Sequence, residues 1–563
     1  MLRSSSLPVI FGAVLMAGCG DGGSGPNPPP VLDCGAVTPT ALAVGQSAVQ
    51  NAEDTACVRL PAAGPDGAEY LYVAVATAAR ESDQGVEAPY DLSAGPESTA
   101  TAATPLTSAS PLLRAFRPPS TAREFHQRLR AMEREISRDP QMMLFAGPNA
   151  AVVAQSPPTL GEQRAFNVLR SNTVTGTMLS DYVQVTGTAK YVGTHGAIFL
   201  DDAAPTPTYS QSDIDHIGAM FDQHLYPADT TAFGTESDVN GDGLVIILLS
   251  DRVTKLTGCS GNEIVVGFFF ARDLLPNVVG SNNEEIFYGL TPDPSCSVSP
   301  AEATRLLPRV LIHEFQHMIS FNQHVLLRNG SSEETWLNEG LSTFAEEIGG
   351  RTVPDSLCAN NDCLSQFVFD DFDNAYSYLL DVELNFLIGP PKPPIPLTEY
   401  GAVWLFVRWL ADHFARTATL GTDLTQKLDG TNRTGADNVR AATGVQFPTL
   451  VSEWQMANYL DDLPGFTPAN PRLQYASWNL RQVYAGLNQS NPGIFPLSYP
   501  LVPDSTSGAS YARSGSLRAG SGRHLLVVQP PSAGTVDLRL LDSDGTSAVA
   551  DSAQPRVGLV RIR

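Results

Sequence analysis

Positive charge is scarce in this sequence: 35 Lys and Arg stand against 59 Asp and Glu in 563 residues, a formal net charge of −24. With a pI near 4.7 the chain repels phosphate backbones, which excludes nucleic acid as a partner without a local basic patch. Long hydrophobic runs are missing too. The apolar stretch at residues 7–17 covers 11 positions, too few to span a bilayer as a helix. There is no G-x-S-x-G elbow, no G-x-x-x-x-G-K-S/T loop and no G-x-G-x-x-G after a strand. Serine-hydrolase, nucleotide-hydrolase and dinucleotide chemistry therefore lack their motifs. No repeat of fixed period appears. Charged residues make up 17% and hydrophobic ones 42%, with 47 Gly and 43 Pro, a loop-rich folded composition that excludes wholesale disorder and a coiled coil. At roughly 100–200 residues per domain the length predicts two to four domains.

The short apolar run follows Arg3 and reads as the core of a signal peptide over residues 1–18. Leu15-Met16-Ala17-Gly18-Cys19 then leads into a Gly/Ser/Pro tether, residues 19–33, and resembles a bacterial lipoprotein lipobox. That resemblance implies acylation of Cys19 and a membrane held through the lipid; an ordinary secretory signal is the alternative. Either way the chain leaves the cytoplasm. Setting Cys19 aside, the other six of the seven cysteines form an even set, and an oxidising compartment favours disulfides. Proximity favours Cys34 with Cys57, Cys259 with Cys296, and Cys358 with Cys363.

Strand-like runs separated by Gly/Pro/Asp turns predict a small β-domain over residues 34–95. Residues 96–158 combine an Ala/Ser/Thr/Pro linker with a charged helix, 123–138, which reads as a solvated helix or as a pro-segment covering an active site. Residues 159–491 form the largest unit, strands first and helices after residue 300. The continuous apolar run 243–249 predicts a strand buried on both faces. Alternating short runs over 497–563 predict a second small β-domain. The expected class is multidomain α+β.

Chemistry concentrates at His313-Glu314-Phe315-Gln316-His317, an H-E-x-x-H. On a helix, positions i and i+4 share a face, so both imidazoles reach one zinc ion with Glu314 beside its water. Ser299-Pro300-Ala301-Glu302 is a helix start, and Pro308 is expected to interrupt or restart that helix. Downstream, Trp336-Leu337-Asn338-Glu339-Gly340 lies on a second predicted helix ending at Gly349-Gly350. Glu333, Glu334, Glu346 and Glu347 come in pairs and read as solvated or helix-end charges, whereas Glu339 stands alone. His126, His195, His216, His224, His324, His413 and His524 are scattered and read as structural or surface residues.

H-E-x-x-H followed by W-L-N-E-G resembles the gluzincin clan of zinc metallopeptidases, and the stretch 313–321 is especially similar to the hyicolysin-type neutral metalloprotease family. The resemblance covers about 40 residues. It implies a zincin-like catalytic domain, with a strand-rich first lobe and a helical second lobe, flanked by the β-domains. It further implies zinc on His313, His317 and Glu339, Glu314 as general base, and a protein or peptide substrate. Tyr400 takes the place of the transition-state tyrosine of gluzincin aminopeptidases, with Tyr376 and Tyr378 as competitors. Absence of a G-x-M-E-N segment favours an endopeptidase. An inactive zincin-fold surface binding or adhesion lipoprotein is the alternative function. Asp238, Asn240 and Asp242 match the first half of a calcium loop, but Leu249 stands at its twelfth position and a strand follows, so a plain turn competes with a calcium site.

Overall fold

The structure, a computed structural model, describes residues 34–563 apart from 52–53, 83, 96–120, 144–154, 259–263, 277, 391–395 and 417–419. Cys19 and its lipobox lie outside the described residues. Among the described residues no helix is long and apolar enough to cross a membrane.

The two ends of the chain build one body. Strands β1 (Ser47–Gln50), β2 (Cys57–Leu60), β3 (Ala68–Ala76) and β4 (Glu87–Ala94) come from the N-terminal stretch. After the six strands of the middle region, described next, the C-terminal stretch adds β11 (Asp504–Thr506), β12 (Tyr511–Arg518), β13 (Gly522–Gln529), β14 (Val536–Leu541) and β15 (Pro555–Arg561). They interleave as β1-β15-β3-β13-β11 and β12-β4-β14-β2, two sheets sharing a core of Tyr72, Leu92, Leu525, Leu538 and Leu559. Thus the two separate β-domains expected at the termini are one sandwich. In the first sheet β3 lies between β13 and β15, with Tyr72 opposite both Leu525 and Leu559. Neither end could bury its apolar face alone; strand pairing over more than 400 residues supplies the missing neighbours.

The middle of the chain forms a six-stranded sheet from β5 (Gln163–Leu169), β6 (Tyr182–Val192), β7 (Gly196–Asp201), β8 (Val245–Leu249), β9 (Gly267–Phe269) and β10 (Ile286–Gly289). Its order is β5-β6-β7-β8-β10-β9, parallel across β7, β8 and β10 and antiparallel elsewhere. Every residue of β8, Val-Ile-Ile-Leu-Leu, is buried, as its unbroken apolar run requires. The sheet ends on β9, an edge strand that faces the helical half.

A central helix, Pro300–Phe321, joins the halves. Ser299 caps it, its hydroxyl accepting from the Glu302 amide at 3.1 Å, with Pro300 at the first position. Contrary to the expected break, the helix runs through Pro308. Proline removes only one i→i−4 bond, and buried Leu307, Leu311 and Ile312 hold the turns on either side. A return helix, Thr335–Thr352, continues past Gly349 and Gly350 instead of ending there. A Cβ on Gly349 would lie 2.8 Å from the Phe367 ring, so these glycines serve the close approach of the helix Cys363–Leu380 rather than a cap.

Of the expected disulfides, Cys34–Cys57 and Cys358–Cys363 are formed. Cys296 is disulfide-bonded as well, and Cys259, its expected partner, lies outside the described residues.

Candidate metal centre

One helical turn separates His313 from His317 on the central helix, and their Nε2 atoms lie 3.2 Å apart. The return helix brings Glu339 Oε2 to 3.4 Å from His313 Nε2 and 3.8 Å from His317 Nε2. Donors bound at about 2.0–2.1 Å around a tetrahedral ion stand roughly 3.3 Å apart, so the three atoms have the spacing of ligands to one metal. Their far sides fix the ring orientation. His313 Nδ1 lies 2.7 Å from Glu346 Oε1, and His317 Nδ1 lies 3.0 Å from Asn338 Oδ1 and 2.9 Å from Ser342 Oγ. Oxygen acceptors on Nδ1 place the ring proton there and leave the Nε2 lone pair for a metal. Asn338, Glu339, Ser342 and Glu346 share one face of the return helix because they recur at three- and four-residue intervals.

Glu346 therefore differs from its expected role as a solvated charge. Its carboxylate is 7% exposed and also meets Arg309 Nε at 3.3 Å. Glu347 is buried too, accepting from Trp478 and Trp404 at 2.9 and 3.1 Å and pairing with Arg351. Glu333, 1% exposed, accepts from the Gly435 amide and from Asn438. Paired carboxylates look solvated in sequence, and only tertiary partners make burial tolerable.

Glu314 is 1% exposed. Its Oε2 accepts from the Phe269 amide of β9 at 3.0 Å and its Oε1 lies 3.2 Å from His126 Nδ1. Arg130 Nη2 stands 3.8 Å away. Burial alone would raise this carboxyl, but the His126 hydrogen bond and the charges of His126, Arg130 and His313 hold it at about 2. Sequence alone marks His126 as a structural or surface residue and Arg130 as one charge of a charged helix. No local pattern ties residue 126 to residue 314.

Tyr400 opens the helix Leu397–Phe414 and lines the same small void as Glu339. Burial first, then the Glu339 charge, pushes its phenol well above the usual value, while a hydrogen bond from Gln127 opposes this. The competing tyrosines are tied elsewhere: Tyr376 to the Leu497 backbone and Tyr378 to Gln455 at 2.9 Å.

This chain is 28% identical to the neutral metalloprotease ShpI of Staphylococcus hyicus over 185 residues, 32% of this chain and 40% of that protein. The chain thus matches less than half the length of this relative. No family model matches the sequence. The likeness is to a metalloprotease, in line with a His/Glu/His group able to hold a metal: His313, Glu314 and His317.

Asp238, Asn240 and Asp242 form a turn entering β8. Asp238 Oδ1 accepts from the Gly243 amide, Asn240 Oδ1 from the Asp242 amide and Asp242 Oδ1 from the Leu244 amide, at 3.2, 3.0 and 2.9 Å. Asn240 donates to Glu284 at 2.6 Å, and Arg164 lies 3.3 Å from Glu284 and 3.8 Å from Asp242. One oxygen of each loop residue closes the turn, and a guanidinium supplies positive charge beside them.

Proposed function

We propose that the chain is an extracytoplasmic zinc endopeptidase, anchored through lipid on Cys19. The observation carrying this reading is the convergence of His313 Nε2, His317 Nε2 and Glu339 Oε2 to within 3.8 Å of one another, with Glu314 alongside. Two imidazoles and a carboxylate suit zinc and leave a fourth position for water or substrate. His313, His317 and Glu339 would hold the zinc, which when bound would supply a water of lowered pKa and a Lewis acid for the scissile carbonyl. Glu314 takes the water proton and passes it to the leaving amine. The Tyr400 hydroxyl, beside Glu339, donates to the oxygen on which negative charge develops. Glu346, Asn338 and Ser342 keep both rings in the tautomer the metal requires.

Metal analysis and cleavage of a broad peptide library test the reading. One zinc per chain is expected, lost with a chelator, together with hydrolysis that Glu314→Gln abolishes while zinc stays bound. A chain that takes up no zinc, or hydrolysis that survives Glu314→Gln, overturns it.

A further inference from the structure

We propose that the helix Thr121–Arg138 is a built-in inhibitor, seated on the metal site and keeping the enzyme latent until the helix is displaced; this rests on the endopeptidase reading. One turn of it reaches the base, the phenol and the edge strand together. His126 lies 3.2 Å from Glu314 Oε1, Arg130 is 3.8 Å from Oε2, and Gln127 donates to Tyr400. Arg130 also donates to the Phe269 carbonyl of edge strand β9 at 3.3 Å, and Phe125 packs edge-on against Phe268 of the same strand at 5.1 Å. With His126 against one oxygen, and the Phe269 amide and the Arg130 guanidinium at the other, the Glu314 carboxylate is not open to a substrate water.

The burial of this helix argues the same way. Ten of its 18 residues are buried, among them Arg123, Gln127, Arg130 and Glu133. Arg130 pairs with Glu133 at 2.9 Å, yet its Nε and Nη1 find no hydrogen-bond partner among the described residues. Buried, unsatisfied donors cost stability, so the helix is an imperfectly satisfied occupant of the cleft.

Release would involve little of the chain. Strands β3 and β4, just before the helix, are locked between C-terminal strands, and Cys34–Cys57 ties β2 to the N-terminal end. A whole pro-region of residues 34–140 could not leave without pulling β3 from between β13 and β15. The displaceable unit is the helix, entered and left through residues 96–120 and 144–154.

Recognition sites for a site-specific protease, inserted into both of those stretches of the full chain, test the proposal. The zinc-loaded protein is compared before and after cutting. Two readouts are taken: peptide hydrolysis, and the affinity of a hydroxamate measured by calorimetry, which reports access to the metal without turnover. Both are expected to rise at least 100-fold on cutting, and a synthetic peptide of residues 121–143 is expected to reverse the gain. Arg130→Ala in the intact chain should raise both about tenfold. Equal hydroxamate affinity and hydrolysis before and after complete cutting overturn the proposal, as does a loss of hydrolysis in Arg130→Ala with hydroxamate affinity unchanged. A cut chain that gains hydroxamate affinity but hydrolyses nothing supports the covering role and instead overturns the endopeptidase reading.

Discussion

Two polar clusters lie on the same helical rod, built from the same residue types, and only one has the form of a metal site. In the first, His313, His317 and Glu339 meet at 3.2–3.8 Å, each ring braced from behind by Glu346 or by Asn338 and Ser342. In the second, just past the end of the central helix, His324 Nε2 lies 3.6 Å from Asp429 Oδ1 and 3.9 Å from Glu333 Oε2, all fully buried. There the carboxylates are engaged elsewhere, Glu333 by Gly435 and Asn438, and Asp429 by Gln316 at 3.0 Å. His324 Nδ1 has no hydrogen-bond partner among the described residues, so nothing fixes its ring. Burial lowers the His324 pKa, but Asp429 and Glu333 outweigh it and hold the ring above its usual value. In one cluster the carboxylates favour a proton on His324; in the other they would face the proposed ion. Far-side hydrogen bonds, more than ligand type, separate a metal site from a buried ion pair.

The comparison breaks most completely if a ligand is removed. Glu339→Gln or His317→Ala should lower zinc affinity at least 1000-fold and remove hydrolysis with it, measured by competition with a chromogenic chelator. Asp429→Ala should act oppositely, leaving zinc affinity within about twofold. It should cost roughly 3–5 kcal/mol of stability in denaturant titrations, because His324 is left buried with one carboxylate fewer. Glu346→Gln is the finer test of bracing: an amide that turns its oxygen to Nδ1 keeps the hydrogen bond but not the charge. Zinc affinity should fall about 10–100-fold with stability of the metal-free chain nearly unchanged. If Glu346→Gln matches wild type, the carboxylate charge behind His313 is not what distinguishes the clusters.

Much of the first cluster was legible because its information is local. H-E-x-x-H needs only helical periodicity, and the Ser299 cap with Pro300 announces the helix that carries it. Glu339 stood out as the lone carboxylate of its segment. The helical class of that segment, the buried strand β8 and two disulfides followed from similarly short-range patterns. What escaped reading depends on distant partners. Glu346 and Glu347 look solvated until Arg309, His313 and two tryptophans surround them. Pro308 and Gly349-Gly350 obey local rules for ending helices, which packing against neighbouring helices overrides. The sandwich pairs Leu71 with Val560, and neither strand carries a sign of the other. His126 was unreadable for the same reason, since only the tertiary fold lays its helix over Glu314.

The smallest expected effect separates proton from metal directly. His324 is raised in the folded state, so its protonated form stabilises the fold: that contribution is fully present below the unfolded value of about 6.5 and is lost as pH rises through the folded value. The first cluster has the opposite dependence, because imidazole ligands must shed their protons before they bind zinc. In denaturant titrations of the metal-free protein, wild type should lose stability on the alkaline side relative to His324→Gln, whose side chain carries no titrating proton. Zinc affinity of both proteins should rise with pH in parallel. If the two stability profiles run parallel from pH 6 to pH 10, the second cluster is not held by a proton on His324. Its resemblance to the first would then need a cation of another kind to balance Glu333 and Asp429.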